Sequence, residues 1–115
     1  EKYFRNLEEK ITLKLLNSSN NVIALGGGGF INDRIRKEIL KNNLSFWLYL
    51  NNDTLLDRIK KNNKRPIASK LSDSELIDLI TRREKIYTKS HFKINCNKLK
   101  KTEIVTKIIK LYELN

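Results

Sequence analysis

The stretch VIALGGGG, residues 22–29, sets the fold class of this 115-residue chain. Four consecutive apolar residues are typical of a short parallel β-strand that is covered on both faces. Four glycines, from Gly26 to Gly29, end that strand abruptly. A glycine run directly after a parallel strand lies at the carboxyl edge of the sheet, where α/β folds bind ligands. Because glycine has no Cβ, its backbone N–H group can approach a substrate closely.

Helical patterns flank this strand, and two further strands follow. Residues 3–17 carry apolar side chains at spacings of three and four, which predicts a helix. The segments 45–50 (SFWLYL) and, more weakly, 91–95 predict strands. Further helices are predicted after Asn32, after residues 51–53, after the capping box Ser72-x-x-Glu75, and over residues 101–113. The alternation predicts an α/β fold, in which helices flank a sheet of parallel strands.

The composition limits the class of protein. With 39% hydrophobic and 32% charged residues, the chain is expected to be one soluble globular domain over residues 1–115. Its longest apolar run, residues 46–50, is far shorter than a membrane span, so no membrane partner is expected. The single cysteine, Cys96, fits a reducing cytoplasm and offers no metal site. The absence of methionine and the start at Glu1 suggest a fragment.

The net charge of +11 favours an anionic partner, either nucleic acid or a nucleotide together with an acidic metabolite. The lysines are, however, scattered along the chain, as a compositional bias on solvated faces would place them. Nucleic-acid binding is therefore not expected. The glycine run is also not a phosphate loop, because Phe30 stands where the lysine would be, and its spacing does not fit the dinucleotide fingerprint.

Residues 60–71 are nearly devoid of large apolar side chains and contain the only proline, Pro66. This composition predicts an exposed lid segment. Arg65 within it suits phosphate clamping, because a guanidinium group matches phosphate oxygens in a bidentate way. An ordinary surface arginine in a turn is the alternative for this dipeptide taken alone.

Four motifs in order give the chain its resemblance to the shikimate kinases. They are Glu1-x-x-Phe4-Arg5-x-x-Glu8, VIALGGG at residues 22–28, Arg65-Pro66, and Arg83-x-x-x-Tyr87. Their spacings are similar to those of the family, and together they cover essentially the whole chain. The resemblance implies part of a P-loop kinase fold with a parallel sheet. It also implies transfer of the γ-phosphoryl group of ATP, with Mg²⁺, to the 3-hydroxyl of shikimate.

The resemblance also implies residue roles. Arg5 and Arg83 would bind the shikimate carboxylate, and the backbone of Gly26, Gly27 and Gly28 would line the shikimate pocket. Arg65 matches the catalytic lid arginine that closes on the ATP phosphates, and Arg58 matches a position that packs against adenine. Three departures from the family pattern concern mainly nucleotide contacts. They are Leu25 for a common threonine, and Lys85 and Lys101 for common prolines.

The family's phosphate-loop strand, its phosphate loop and its metal ligands would precede Glu1. We therefore expect a gap in the sheet and an inactive polypeptide when these 115 residues stand alone. The partners implied for the intact protein are shikimate and ATP, and it is expected to be a cytoplasmic monomer. A gluconate-type P-loop kinase, a noncatalytic shikimate-kinase-like module and a basic nucleic-acid binder remain as alternatives.

Overall fold

The computed structural model describes residues 2–61 and 70–115, and its contacts divide the chain into two compact units. The first unit comprises Glu1–Ser45 and the second Phe46–Asn115. Five helices and two parallel strands within the described residues confirm the predicted α/β class. None of the helices in this part of the chain is long and apolar enough to cross a membrane. The expectation of a single domain stays a prediction.

The first unit opens with helix α1, Lys2–Leu16, as the spacing of its apolar residues predicted. The predicted stripe is largely exposed, however: Phe4 retains 64% of its accessible surface and Ile11 50%, whereas Leu16 is buried. Helix α2, Asp33–Asn42, packs against α1 and buries Ile35 and Ile39. Burial of an amphipathic face of this kind supplies most of a short helix's stability.

The strand predicted at residues 22–25 is wrong for this structure. These residues are described but belong to no strand, and Val22 is fully exposed. The physical reason is that a strand needs a hydrogen-bonded neighbour, and no described segment supplies one here. The aliphatic run therefore enters the glycine turns as irregular chain.

The second unit is built on strands β1, Phe46–Tyr49, and β2, Phe92–Asn95, which pair in parallel as predicted. Phe46 lies opposite Phe92, and their rings stack with centroids 5.3 Å apart. Ile94 is buried in the core of this unit. A stacked aromatic pair across two strands contributes roughly 0.5–1.5 kcal/mol beyond its buried area.

Three helices complete the second unit: α3, Asn52–Lys61; α4, Asp73–Tyr87; and α5, Lys101–Glu113. Helix α4 begins with the predicted capping box. The N–H of Glu75 donates to the Ser72 hydroxyl, and the N–H of Ser72 donates to the Glu75 carboxylate. The backbone hydrogen bond from Ser72, followed by its side-chain bond, holds the pKa of Glu75 below its ordinary value. The buried residues Leu76 and Ile80 face the core from this helix.

Candidate functional site

The glycine run forms a series of tight turns that lead into α2. The N–H of Gly29 donates to the Gly26 carbonyl at 3.0 Å, and the N–H of Ile31 donates to the Gly28 carbonyl at 3.2 Å. None of the four glycines has a positive φ. The backbone therefore does not require glycine at these positions, because an alanine could adopt the same dihedral angles.

The space around the glycines differs from one position to the next. A Cβ added at Gly28 would have no atom within 4 Å, and one added at Gly26 would meet Glu8 Oε2 at an ordinary 3.5 Å. At Gly29, by contrast, an added Cβ would lie 3.3 Å from the Gly26 carbonyl oxygen and from the Leu25 side chain. Packing within this unit thus explains the absence of a side chain at Gly29 but not at Gly26 or Gly28. The open space beside Gly28 leaves room for a ligand to approach the main chain.

Helix α1 brings polar side chains towards this loop. Glu8 lies beside Gly26, and Arg5 is exposed on the same helix one turn earlier. Residues three apart on a helix share a face, so Arg5 lies on the face that carries Glu8. The first unit therefore combines a cation, a carboxylate and a bare glycine backbone.

The far end of the loop is held by Asn32, the predicted N-cap of α2, and by Arg36, which the sequence did not single out. Asn32 caps α2 by accepting the N–H of Ile35 at 3.0 Å, and its amide donates to Glu9 Oε1 on α1 at 3.1 Å. Arg36 donates through Nη1 to the carbonyls of Phe30 and Ile31, both at 3.0 Å. The sequence places Arg36 directly after Ile35, a residue predicted to face the core, and this was the available signal for its burial. An arginine in so charged a helix is, however, usually expected to lie in solvent.

In the second unit, Arg83 is half-buried on α4, with Tyr87 one turn later. Tyr87 contacts the Trp47 ring with centroids 5.9 Å apart, so it packs against β1. Arg5 and the glycine run belong to the first unit, and Arg83 belongs to the second. The shared role of Arg5 and Arg83 therefore stays a prediction.

Arg58 is exposed on α3, where its positive charge acts on Cys96 at the end of β2. Burial raises the pKa of the Cys96 thiol, and the charges of Arg58 and Lys107 partly oppose that rise. The thiol also donates to the Ile94 carbonyl at 3.4 Å. These surroundings describe a protected, weakly acidic thiol, and the adenine-packing role of Arg58 stays a prediction.

Arg65, the predicted lid arginine, lies outside the described residues, as does most of the predicted lid segment at residues 60–71. Within residues 2–61 and 70–115, no three His, Cys, Asp or Glu side chains cluster as a metal site would require. We therefore assign no metal ligand to the described side chains.

The second unit also contains a cleft that the sequence did not predict. It has a volume of about 350 Å³ between β2 and α5, and it is lined by Lys93, Ile94, Asn95, Lys107, Lys110 and Leu111. Lys93 extends its ammonium group over the Tyr49 ring, 4.1 Å from the centroid. The cleft contains none of the predicted site residues.

Comparison with known proteins gives a consistent result. A family model described as shikimate kinase matches residues 1–113. The chain is 35% identical over 111 residues to a protein of Bartonella henselae named shikimate kinase, covering 96% of this chain and 53% of that protein. A protein of the same name from Thermodesulfovibrio yellowstonii is 32% identical over 114 residues, covering 98% and 66%.

A third relative, named shikimate kinase in Rhizobium meliloti, is 31% identical over 110 residues, covering 95% of this chain and 57% of that protein. The chain thus spans between about half and two thirds of the length of these curated relatives. No solved structure matches the fold.

Proposed function

This chain belongs to the shikimate kinase family, and from that premise we propose that the intact protein transfers the γ-phosphoryl group of ATP to the 3-hydroxyl of shikimate. The family match over residues 1–113 is the observation that carries the proposal. In this reaction the 3-hydroxyl oxygen attacks the γ-phosphorus and the bond to the bridging oxygen of ADP breaks. The hydroxyl proton is released, and the products are shikimate 3-phosphate and ADP.

Recognition of the acceptor is the part of the reaction that we assign to the described residues. Arg5 and Arg83 bind the shikimate carboxylate, because paired guanidinium groups neutralise its charge and match its two oxygens. The backbone N–H groups of Gly26, Gly27 and Gly28 reach a ring hydroxyl. The open space beside Gly28 supports this role, and neither Gly26 nor Gly28 lacks a side chain for reasons of packing or φ.

Nucleotide contacts form a second group of proposals. Arg65 stabilises the negative charge on the phosphoryl oxygens during transfer, as a clamp that develops its strongest contacts in the transition state. Arg58 packs against adenine. ATP brings Mg²⁺ to such a reaction, and the metal offsets charge on the phosphate oxygens when bound.

The proposed cellular setting is a monomer in the cytoplasm. The free, buried thiol of Cys96 supports a reducing compartment. The 115-residue polypeptide alone is proposed to be inactive.

An ATP-consumption assay on the intact protein tests this function, with shikimate and gluconate as alternative acceptors. Turnover is expected with shikimate as the acceptor and not with gluconate. In Arg83→Ala, kcat/KM for shikimate should fall by roughly 30- to 5,000-fold, the equivalent of the 2–5 kcal/mol that the loss of a buried charge partner costs. Arg82→Ala is the matched control, because Arg82 is its exposed neighbour on the same helix.

Gluconate-dependent turnover would instead identify a gluconate-type kinase. A folded protein that binds ATP but uses neither acceptor would indicate a noncatalytic relative. If Arg82→Ala and Arg83→Ala lost activity equally, Arg83 would have no specific part in binding the carboxylate.

A further inference from the structure

Arg36 makes an unusual set of contacts for a residue in a charged surface helix. Only 12% of its side chain is exposed, and Nη1 donates to two consecutive carbonyls, those of Phe30 and Ile31. Its Nη2 pairs with the Asp33 carboxylate. The guanidinium group therefore ties the first turn of α2 to the main chain that directly follows the glycines.

We propose that Arg36 is a positioning residue for shikimate binding, acting through the glycine run; this inference rests on the proposed function. The argument follows the chain of hydrogen bonds. Arg36 fixes the Ile31 carbonyl, and the Ile31 N–H is bonded to the Gly28 carbonyl. The orientation of Gly28 therefore depends on a side chain that does not itself reach the glycines.

The ion pair with Asp33 does not account for the burial of Arg36. Asp33 remains 78% exposed, and exposed pairs of this kind contribute little to stability. The two carbonyl contacts are different, because main-chain oxygens that lose a partner while shielded from water are costly. The guanidinium group serves both carbonyls and the carboxylate at once because its donors are held in a rigid planar fork.

A second contact holds the same end of the loop. Asn32 joins α1 through Glu9, with its Nδ2 3.1 Å from Glu9 Oε1. The loop's exit into α2 is thus fixed from two sides, by Glu9 on α1 and by Arg36 on α2. Loss of Arg36 is therefore expected to loosen residues 26–31 while α1 and α2 remain folded.

The test compares Arg36→Ala, Arg36→Lys and the control Arg34→Ala in the intact protein. Arg34 lies on the same helix with 77% of its side chain exposed, and it forms a loose ion pair with Glu9 at 3.7 Å. In Arg36→Ala we expect the KM for shikimate to rise about tenfold, the effect of one misplaced hydrogen bond, with kcat and the KM for ATP changing less than about threefold. In Arg36→Lys the KM for shikimate should rise less than in Arg36→Ala.

Amide hydrogen exchange provides a readout that needs no activity. In both Arg36 variants the N–H groups of Gly29, Ile31 and Asn32 should exchange faster than in the parent, while the amides in the middle of α2 keep their protection. Arg34→Ala should leave both readouts unchanged. A parent without shikimate turnover would refute the proposed function, and the exchange data would still decide whether Arg36 orders the loop.

The inference is overturned if Arg36→Ala changes kcat alone with an unaltered shikimate KM, because that pattern indicates a smaller folded fraction. It is equally overturned if exchange quickens throughout α2 as much as in the loop, or if Arg34→Ala has the same effects. Should Arg36→Ala not fold, Arg36→Lys carries the same test, since it keeps the charge and removes the planar fork.

Discussion

Replacement of Gly28 by alanine separates the demands of the fold from those of the ligand. Gly28 has no positive φ, and an added Cβ would meet no atom within 4 Å. The folded chain therefore accepts the methyl group without strain. The same methyl group would occupy the space through which shikimate is proposed to approach the main chain, so binding should suffer while stability does not.

The magnitudes follow from these two facts. A glycine replaced by alanine at a compatible φ stabilises a protein by about 0.4–1 kcal/mol, because the unfolded chain loses conformational freedom. This stabilisation corresponds to a rise in Tm of up to about 4 °C for a domain of ordinary size. Loss of one main-chain hydrogen bond to the ligand, with displacement of the ring, should raise the shikimate KM about tenfold or more.

The assay pairs thermal unfolding with shikimate-dependent ATP consumption by the intact protein. Gly29→Ala is the contrasting variant, because its Cβ would lie 3.3 Å from the Gly26 carbonyl oxygen, which is held in a tight turn. We expect Gly29→Ala to lower the Tm and Gly28→Ala to leave it unchanged or higher. Unaltered shikimate kinetics in a well-folded Gly28→Ala variant would refute the placement of this backbone beside the acceptor. A lower Tm for Gly28→Ala would refute the conclusion that the space beside Gly28 is open.

Three further outcomes are expected. Ser72→Ala should destabilise the protein by about 0.5–2 kcal/mol in chemical denaturation. The hydrogen bonds of Ser72 lower the pKa of Glu75 in the parent, so an NMR titration of the variant should show this pKa closer to its ordinary value. The stability that the Glu75 carboxylate contributes is present above its unfolded pKa and is lost as pH falls through the lower folded pKa. If the substitution left the pKa of Glu75 unchanged, the capping hydrogen bonds between Ser72 and Glu75 would be contradicted. Arg58→Ala should raise the pKa of Cys96 further and slow its alkylation, because a positive charge that favours the thiolate is removed. Faster alkylation would refute the influence of Arg58 on this thiol. The isolated 115-residue polypeptide should show no kinase activity and no cooperative melt by circular dichroism, and a sharp monomeric transition would refute the latter expectation.

Much of the fold was predictable from local pattern. The capping box at Ser72 and Glu75 marked the start of α4, and a short aromatic run marked β1, whereas β2 was predicted more weakly. The failure at residues 22–25 has a clear cause, because an aliphatic run indicates the capacity to pair but not the presence of a partner strand. The exposure of the α1 stripe was unpredictable for the same reason: burial depends on what lies opposite.

The candidate site was predictable only in part. Consecutive glycines stand out in any sequence, and Arg5 and Arg83 were identified through motif spacing. The sequence did not identify Arg36, because its contacts with two carbonyl oxygens cannot be inferred from residue types or their spacing. A contact between a side chain and the main chain five or six residues earlier becomes visible only in the three-dimensional structure.

The attachment of Arg36 to main-chain oxygens has a consequence for protein engineering. A carbonyl is present whatever residue occupies a position, so the bond to Ile31 does not constrain its half-buried side chain. Phe30, which is buried, has no such freedom. A library that places every residue except proline at position 31 should therefore retain the loop geometry, because the N–H that bonds to Gly28 is kept. The surface beside the loop would vary, which makes this position a starting point for recruiting acceptors of different shape.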